Sequence, residues 1–284
     1  MIDLTSYLLP VALLAAFPIA GMLIDGLDRK ITARMQSRVG PPIVQPLYDF
    51  FKLLGKEDFA VNPYTVIFAF AHLAFTITSA AILLLGGDLI VFFFTIALAE
   101  IFYILGGFST RSPYAHLGSG RALAQFIAIE TLFLFVIWLM GYVSATYIIA
   151  EIVKTQVPLI VRLPFSFIVL GIILLVKMEK SPFDIPTAKG EIIAGPLQEY
   201  TGRWLALFKL AHWFIIPLLM AIIYIFLLPY WYLGVFALVI VFLIILTIDN
   251  IATRLTYQDL IRFSFRWGIL LVVLDIIKVI LWKF

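Results

Sequence analysis

The 284-residue sequence contains no cysteine, so it forms no disulfide and offers no thiolate to an iron–sulfur cluster. Histidine is nearly as scarce. His72, His116 and His212 are scattered along the chain, a poor basis for a metal or haem site, and any electron transfer is expected to sit in a partner. Charge is sparse as well, at 13% of residues against 63% hydrophobic. A mean hydropathy of +1.10 excludes an ordinary soluble domain. Strands of about ten residues with alternating polarity, the mark of a membrane β-barrel, are missing too, because the apolar runs are long and unalternating. No internal repeat is visible, which argues against a transporter built from duplicated halves. The first apolar run is preceded by Asp3 and by no Lys or Arg, so it lacks a signal-peptide n-region and is expected to be retained.

What remains is an all-α, polytopic membrane protein. Runs near twenty residues read as spanning helices. They fall at about Tyr7–Ile24, Val66–Leu85, Leu89–Leu105, Ala122–Met140, Phe165–Val176 (short), Leu205–Leu228, Trp231–Ile248 and Trp267–Trp282, eight in all. Between them, fifteen Lys and Arg face one side and three (Lys154, Arg162 and Lys283) face the other, with Lys209 and Lys278 inside spans. This bias places the long loops, 28–62, 106–121 and 177–203, in the cytoplasm and both termini outside the cell membrane. The pI near 9.0 is thus expected to set topology rather than to bind nucleic acid. In the first loop, Leu47, Phe50, Phe51 and Leu54 share one helical face ahead of Gly55, which predicts a helix lying in the interface or binding a partner.

Acids inside spans need a reason, because a charge at mid-membrane costs roughly 2.5–3.5 kcal/mol or more. Glu130 lies about eight residues into its run, roughly 12 Å deep at 1.5 Å per residue, with no partner within a turn of its own helix. It is expected to face the bundle interior or a wet cavity. Glu100 lies near the loop-side end of its run. Lys209 and His212, three apart, share a face, as do Asp275 and Lys278, for which a local ion pair is the plain expectation. His72 reads as a hydrogen-bonded helix–helix contact. The third loop is the most unusual stretch. It follows a run too short to cross a bilayer comfortably, and Pro182, Pro186 and Pro196 forbid a continuous helix, while Gly190 and Gly195 permit close backbone approach. The expectation is a segment dipping toward the membrane and buried in protein, with Glu191 and Glu199 at a cavity rim.

The motifs "DRKITARMQSRVGPP", "YDFFKLLGKED", "STRSPYAHLGSGRALAQFIAIE" and "SPFDIPTAKGEIIAGPLQEYTG" occur in this order. Together they make the chain resemble the membrane subunit at the heel of respiratory complex I and of the related energy-converting membrane-bound nickel–iron hydrogenases and sulfur-reducing complexes, archaeal ones in particular. The resemblance implies an anchor with no redox centre of its own. It also implies peripheral hydrogenase-like large and small subunits docked on the loops, a ferredoxin-type iron–sulfur subunit, antiporter-like membrane subunits, and a nickel–iron site in a partner. By motif, Asp28 takes the place of the acid in E-R-K, Glu130 is the acid after A-Q, and Glu191 and Glu199 are the loop acids. The resemblance implies docking or a cavity rim for Asp28, Arg29, Arg34, Arg38, Arg111, Arg121 and Asp184, and ion coupling for Glu100, Glu130, Glu191, Glu199, Lys209 and His212. Quinone-linked relatives carry more acids: Thr187 and Lys189 stand where two are usual, and His212 where another is common. The favoured expectation is therefore a ferredoxin-linked hydrogenase or sulfur-reductase complex that pumps H⁺ or Na⁺. The alternatives are a quinone-site subunit and a stand-alone ion permease.

Overall fold

The computed structural model describes residues 5–58 and 62–281, so the expectations on Asp3, Trp282 and Lys283 lie outside the described residues. Its helices are α1 (Thr5–Met35), α2 (Gln45–Leu54), α3 (Pro63–Leu84), α4 (Leu89–Phe108), α5 (Pro113–Ser144), the single turns α6 (Ile149–Ile152) and α7 (Leu159–Arg162), α8 (Pro164–Lys177), the turn α9 (Lys189–Ile192), α10 (Gly202–Ile225), α11 (Trp231–Ile251), α12 (Tyr257–Phe263) and α13 (Ile269–Leu281). A π turn over Ser264–Gly268 joins the last two. Each of the eight expected runs coincides with a helix. By length and composition, α3, α4, α5, α10 and α11 suffice to cross a membrane.

Successive long helices alternate between two ends of the molecule. One end gathers the charged connections: Gln36 meets Asn250, Arg203 meets Asp58, and the backbone of Leu255 reaches Pro182. At the opposite end Leu89 N–H donates to Tyr147 O (2.8 Å), Ile149 N–H to Gly87 O (2.9 Å), and Ile160 N–H to Phe226 O (3.0 Å). The core between the ends is aliphatic and aromatic, with Phe92, Phe133, Leu132 and Met140 of α4 and α5 packed with Leu170 and Ile173 of α8 and Leu218 and Ile222 of α10. In lipid such contacts are won by close packing rather than by escape from water. Gly21 shows the consequence: a Cβ there would sit 1.9 Å from the Trp213 carbonyl oxygen, so α1 and α10 touch backbone to backbone.

The long helices overrun their apolar runs at the charged end. α1 continues from Ile24 to Met35, because Asp25 and Arg29 pair one turn apart and no proline intervenes before Pro41. α5 begins at Pro113, a proline suited to a first turn. Of the stretch 106–121, only residues 109–112 lie outside a helix. α2 forms where the apolar spacing places it, with Gly55 at its C-cap. Pro46 and Leu53 turn inward and Phe50 meets Trp213 of α10 edge-on, while Leu47, Phe51 and Leu54 stay outward.

Residues 178–201 are packed, as the prolines and the apolar centre imply. Phe183, Ile185, Ala188, Ile192 and Tyr200 are buried, and apart from α9 and a 3₁₀ turn over Gly195–Leu197 the segment is irregular. Gly195 has φ +54°, and a Cβ there would meet Pro186 O at 1.9 Å. Gly190 corrects the expectation made for it. Nothing lies within 4 Å of a Cβ at that position, and the second close approach belongs to Gly118 of α5, which faces the Gly195 backbone. A second correction concerns Asp275. It accepts from Phe165 N–H (3.3 Å), Ser166 N–H (2.5 Å) and the Ser166 hydroxyl (2.6 Å), capping α8 instead of forming a local pair, and Lys278 donates to Val161 O at 2.7 Å. His72 behaves as expected, its Nδ1 lying 2.8 Å from Ala99 O.

Candidate functional site

The end of α8 organises the site. Its 14 residues rise about 21 Å at 1.5 Å each, less than the roughly 30 Å of a hydrocarbon core. At that end Glu179 N–H donates to Val176 O (3.0 Å) and Lys180 N–H to Leu175 O (3.4 Å), with Glu179 in the left-handed region at φ +52°. This helix-ending turn usually uses glycine. It sends two lysines in different directions.

Lys177, the last residue of α8, places its ammonium against Glu100 of α4 and Glu130 of α5 together. The three side chains are 8%, 21% and 7% exposed. A cation suits a helix C-terminus, where carbonyls are unpaired, and here two carboxylates from neighbouring helices meet it. Glu130 Oε2 is buried with no hydrogen-bond partner. With all three groups ionised, the cluster holds one negative charge in excess.

Lys180 turns the other way, to Asp28 of α1, and lies 3.5 Å from Asp249 of α11, whose other oxygen accepts Ser181 N–H at 2.9 Å. Burial alone would push the Lys180 ammonium down, yet Asp28 and Asp249 beside it hold it above its ordinary value. The next residue of α1, Arg29, bonds both Asp25 oxygens (2.9 and 3.1 Å) and reaches Asp49 of α2 at 2.9 Å. Gln45 donates to Asp49 and Trp213 Nε1 to Asp25. Burial pushes the Asp49 carboxyl up. The Gln45 amide, the Arg29 guanidinium and the nearby charge of Lys209 more than offset that and hold it low.

A fourth cluster joins α5 to the irregular segment and to Arg254. Glu191 takes Arg121 of α5 on one oxygen (2.7 Å) and Arg254 on the other (3.3 Å), and Arg254 Nε donates to Asp184 at 2.8 Å. Glu191 is half exposed, and its bond to Arg121, then that to Arg254, holds its carboxyl below the ordinary range. Arg203 pairs with Asp58 beside it, at 2.8 Å.

Of the expected residues, then, Glu100 and Glu130 come together through Lys177; Arg121, Asp184 and Glu191 come together through Arg254; and Asp28 and Arg29 anchor two further clusters. The charge of Lys209 acts on Asp49. His212 and Glu199, both half-buried, and the exposed Arg34, Arg38 and Arg111 make no ion pair among the described residues. Lys177, Lys180, Asp249 and Arg254 are the residues that sequence reasoning counted only as loop charges or not at all. Lys177 and Lys180 carried a signal: two cations three apart at the end of an apolar run, in reach of the intramembrane acids. No group of three or more His, Cys, Asp or Glu able to hold a metal occurs among the described residues.

The chain as a whole is similar to known proteins. The NADH dehydrogenase family matches residues 8–280. The chain belongs to that family. It is a multi-pass membrane subunit of the kind found in complex I-like and hydrogenase-type respiratory complexes, the class the four motifs resemble. An NADH-quinone oxidoreductase subunit of Syntrophotalea carbinolica is 27% identical over 293 residues, 90% of this chain and 89% of that one. Hydrogenase-4 component C of Escherichia coli is 31% identical over 204 residues, 66% of this chain and 64% of that protein, so the match spans just under two thirds of its length. A chain in the structure of an archaeal respiratory complex, the membrane-bound sulfane sulfur reductase, superposes with a TM-score of 0.87 at 26% identity, covering 96% of this chain and 99% of that one.

Proposed function

We propose that the chain is the membrane-anchoring, ion-coupling subunit of a multisubunit redox-driven H⁺ or Na⁺ pump. In this reading the chain crosses the membrane eight times with its charged end in the cytoplasm and both termini outside, an orientation that the fifteen-to-three distribution of cations supports. Exposed Arg34, Arg38 and Arg111 dock a peripheral module of the ferredoxin-linked hydrogenase or sulfur-reductase type. The clusters beneath link that module to antiporter-like membrane partners.

The observation that carries this reading is the Glu100–Lys177–Glu130 cluster. Two carboxylates share one ammonium in a nearly dry site, and one carboxylate oxygen has no partner. A residual buried charge is costly, so the cluster is at rest when it has taken up one more cation on that free oxygen. A change above, at Lys180 or in the 178–201 segment, moves Lys177 and alters how tightly that cation is held. Uptake and release at such a site is the elementary act of ion coupling.

The test is ion uptake by inverted vesicles, normalised to electron flux, in Glu130→Gln. The expected result is a complex that assembles and reduces a soluble acceptor while ion movement per electron collapses. An unchanged ratio would leave Glu130 a buried polar contact. The quinone-site reading gains support from the likeness to the Syntrophotalea carbinolica protein, and inhibition of the purified complex by quinone analogues distinguishes it.

A further inference from the structure

The last helix carries a feature that ion coupling does not use. α12, the π turn and α13 form a continuous rod whose start lies at the charged end. Arg262, Phe265 and Arg266 line an open groove there, with a volume of about 720 Å³. Arg262 is 76% exposed, with only Asp259 beside it at 3.6 Å, and Arg266 is exposed and makes no ion pair among the described residues. Spacing of four residues places both guanidinium groups on one face of the rod. The same register continues away from the charged end through Leu270, Val273, Leu274 and Ile277, all exposed. Phe265 stands outward between the two arginines and Trp267 just after them, 45% and 53% exposed.

Two cations with Phe265 between them, Trp267 just beyond, and then an exposed apolar stripe along one helix match an amphiphile whose head is anionic. We propose that this groove is a binding site for one anionic membrane lipid, its phosphate held by Arg262 and Arg266 and its chains laid along Leu270–Ile277. Guanidinium groups suit a phosphate because their fork meets two of its oxygens at once. Aromatic side chains settle at the headgroup level, and basic pockets near helix ends on the cytoplasmic side recruit anionic heads. A π turn, which places one residue more in the turn than an α-helix does, aims Arg266 and Phe265 at the groove. A docked protein would have to match both the cations and the lipid-facing stripe below them. A lipid does so by its own construction.

The test uses the whole complex in nanodiscs of phosphatidylcholine doped with phosphatidylglycerol, with the lipids that stay bound after detergent extraction counted by native mass spectrometry. Each cation near an anionic head contributes about fivefold in affinity, so Arg262→Ala with Arg266→Ala should weaken retention of one phosphatidylglycerol by about 25-fold. Arg262→Lys with Arg266→Lys should keep part of it, and phosphatidylcholine counts should not change. Because both arginines are exposed, single Arg266→Gln serves as a second variant that leaves the fold untouched, with a loss of about fivefold. Equal phosphatidylglycerol counts in wild type and double variant would overturn the assignment. Displacement of the lipid by millimolar glycerol phosphate would make the groove a site for a soluble phosphate instead. Loss of a neighbouring subunit from the double variant would make it a protein interface.

Discussion

The charge count at the end of α8 predicts that two neighbouring substitutions behave in opposite ways. Lys177→Met keeps the length of the side chain and removes its charge, leaving Glu100 and Glu130 facing each other with no cation between them. Deleting one partner of a buried ionic cluster costs about 3–5 kcal/mol, because the remaining charge stays buried and uncompensated. Two carboxylates left together must take up protons to persist, so the cost should fall at low pH. Glu130→Gln does the reverse. It leaves Lys177 and Glu100 as a one-to-one pair and removes the charge on the oxygen that lacks a partner, so stability should change by less than about 1 kcal/mol. The measurement is thermal unfolding of the purified complex at neutral and acidic pH, followed through the membrane domain. A strongly destabilised Lys177→Met, partly recovered in acid, beside a Glu130→Gln within a degree or two of wild type, is the expected pattern. Equal losses in the two variants would refute the argument that the cluster is short of one cation.

Reversing charge at Arg34 and Arg38 together should release the peripheral module while the membrane subunit stays inserted, as read by co-purification, because neither arginine makes an ion pair among the described residues that the change would break. Glu191 is held below the ordinary carboxylate value of 4.5 by Arg121 and Arg254. Its contribution to these ion pairs is therefore complete above about pH 4.5 and lost as pH falls through the lower folded value, and salt should weaken it because Glu191 is half exposed. The hydrogen-exchange protection factors of residues 181–192, corrected for the intrinsic pH dependence of exchange, should fall in acid for wild type and be lower, and flat with pH, in Glu191→Gln. Gly118→Ala forces a methyl group within 2.6 Å of Gly195 Cα and should destabilise by about 1–3 kcal/mol, seen as a lower melting temperature with unchanged insertion. Asp275→Asn should keep most of the α8 cap through its remaining oxygen, whereas Asp275→Ala should lose about 1–2 kcal/mol.

Apolar run length located every long helix, because the requirement that fixes it, roughly 20 residues of hydrocarbon-compatible surface, is local to each segment. The same reasoning misjudged where helices end. α1 and α5 run well past their apolar stretches because i,i+4 pairing and a first-turn proline sustain a helix in water as readily as in lipid. Hydropathy reports the solvent of a segment, and its secondary structure follows from different terms.

The site divides along a similar line. Glu100 and Glu130 announced themselves, since an acid within an apolar run is costly wherever its partner sits. Their partner did not, because Lys177 lies 47 residues beyond Glu130 and reads in sequence as one more cation on the cytoplasmic side. The cost of burying an acid is a property of one residue, but its relief depends on which helix ends at the same level. That level was set by features with no charge at all. Pro164 starts α8 inside the bundle, Asp275 of α13 caps it, and the left-handed turn at Glu179 stops it after 14 residues. Had α8 been a full-length span, Lys177 would have emerged among the loop cations and left the two acids without their ammonium. The short run that looked like a defect in the hydropathy pattern is thus the feature that brings Lys177 to Glu100 and Glu130.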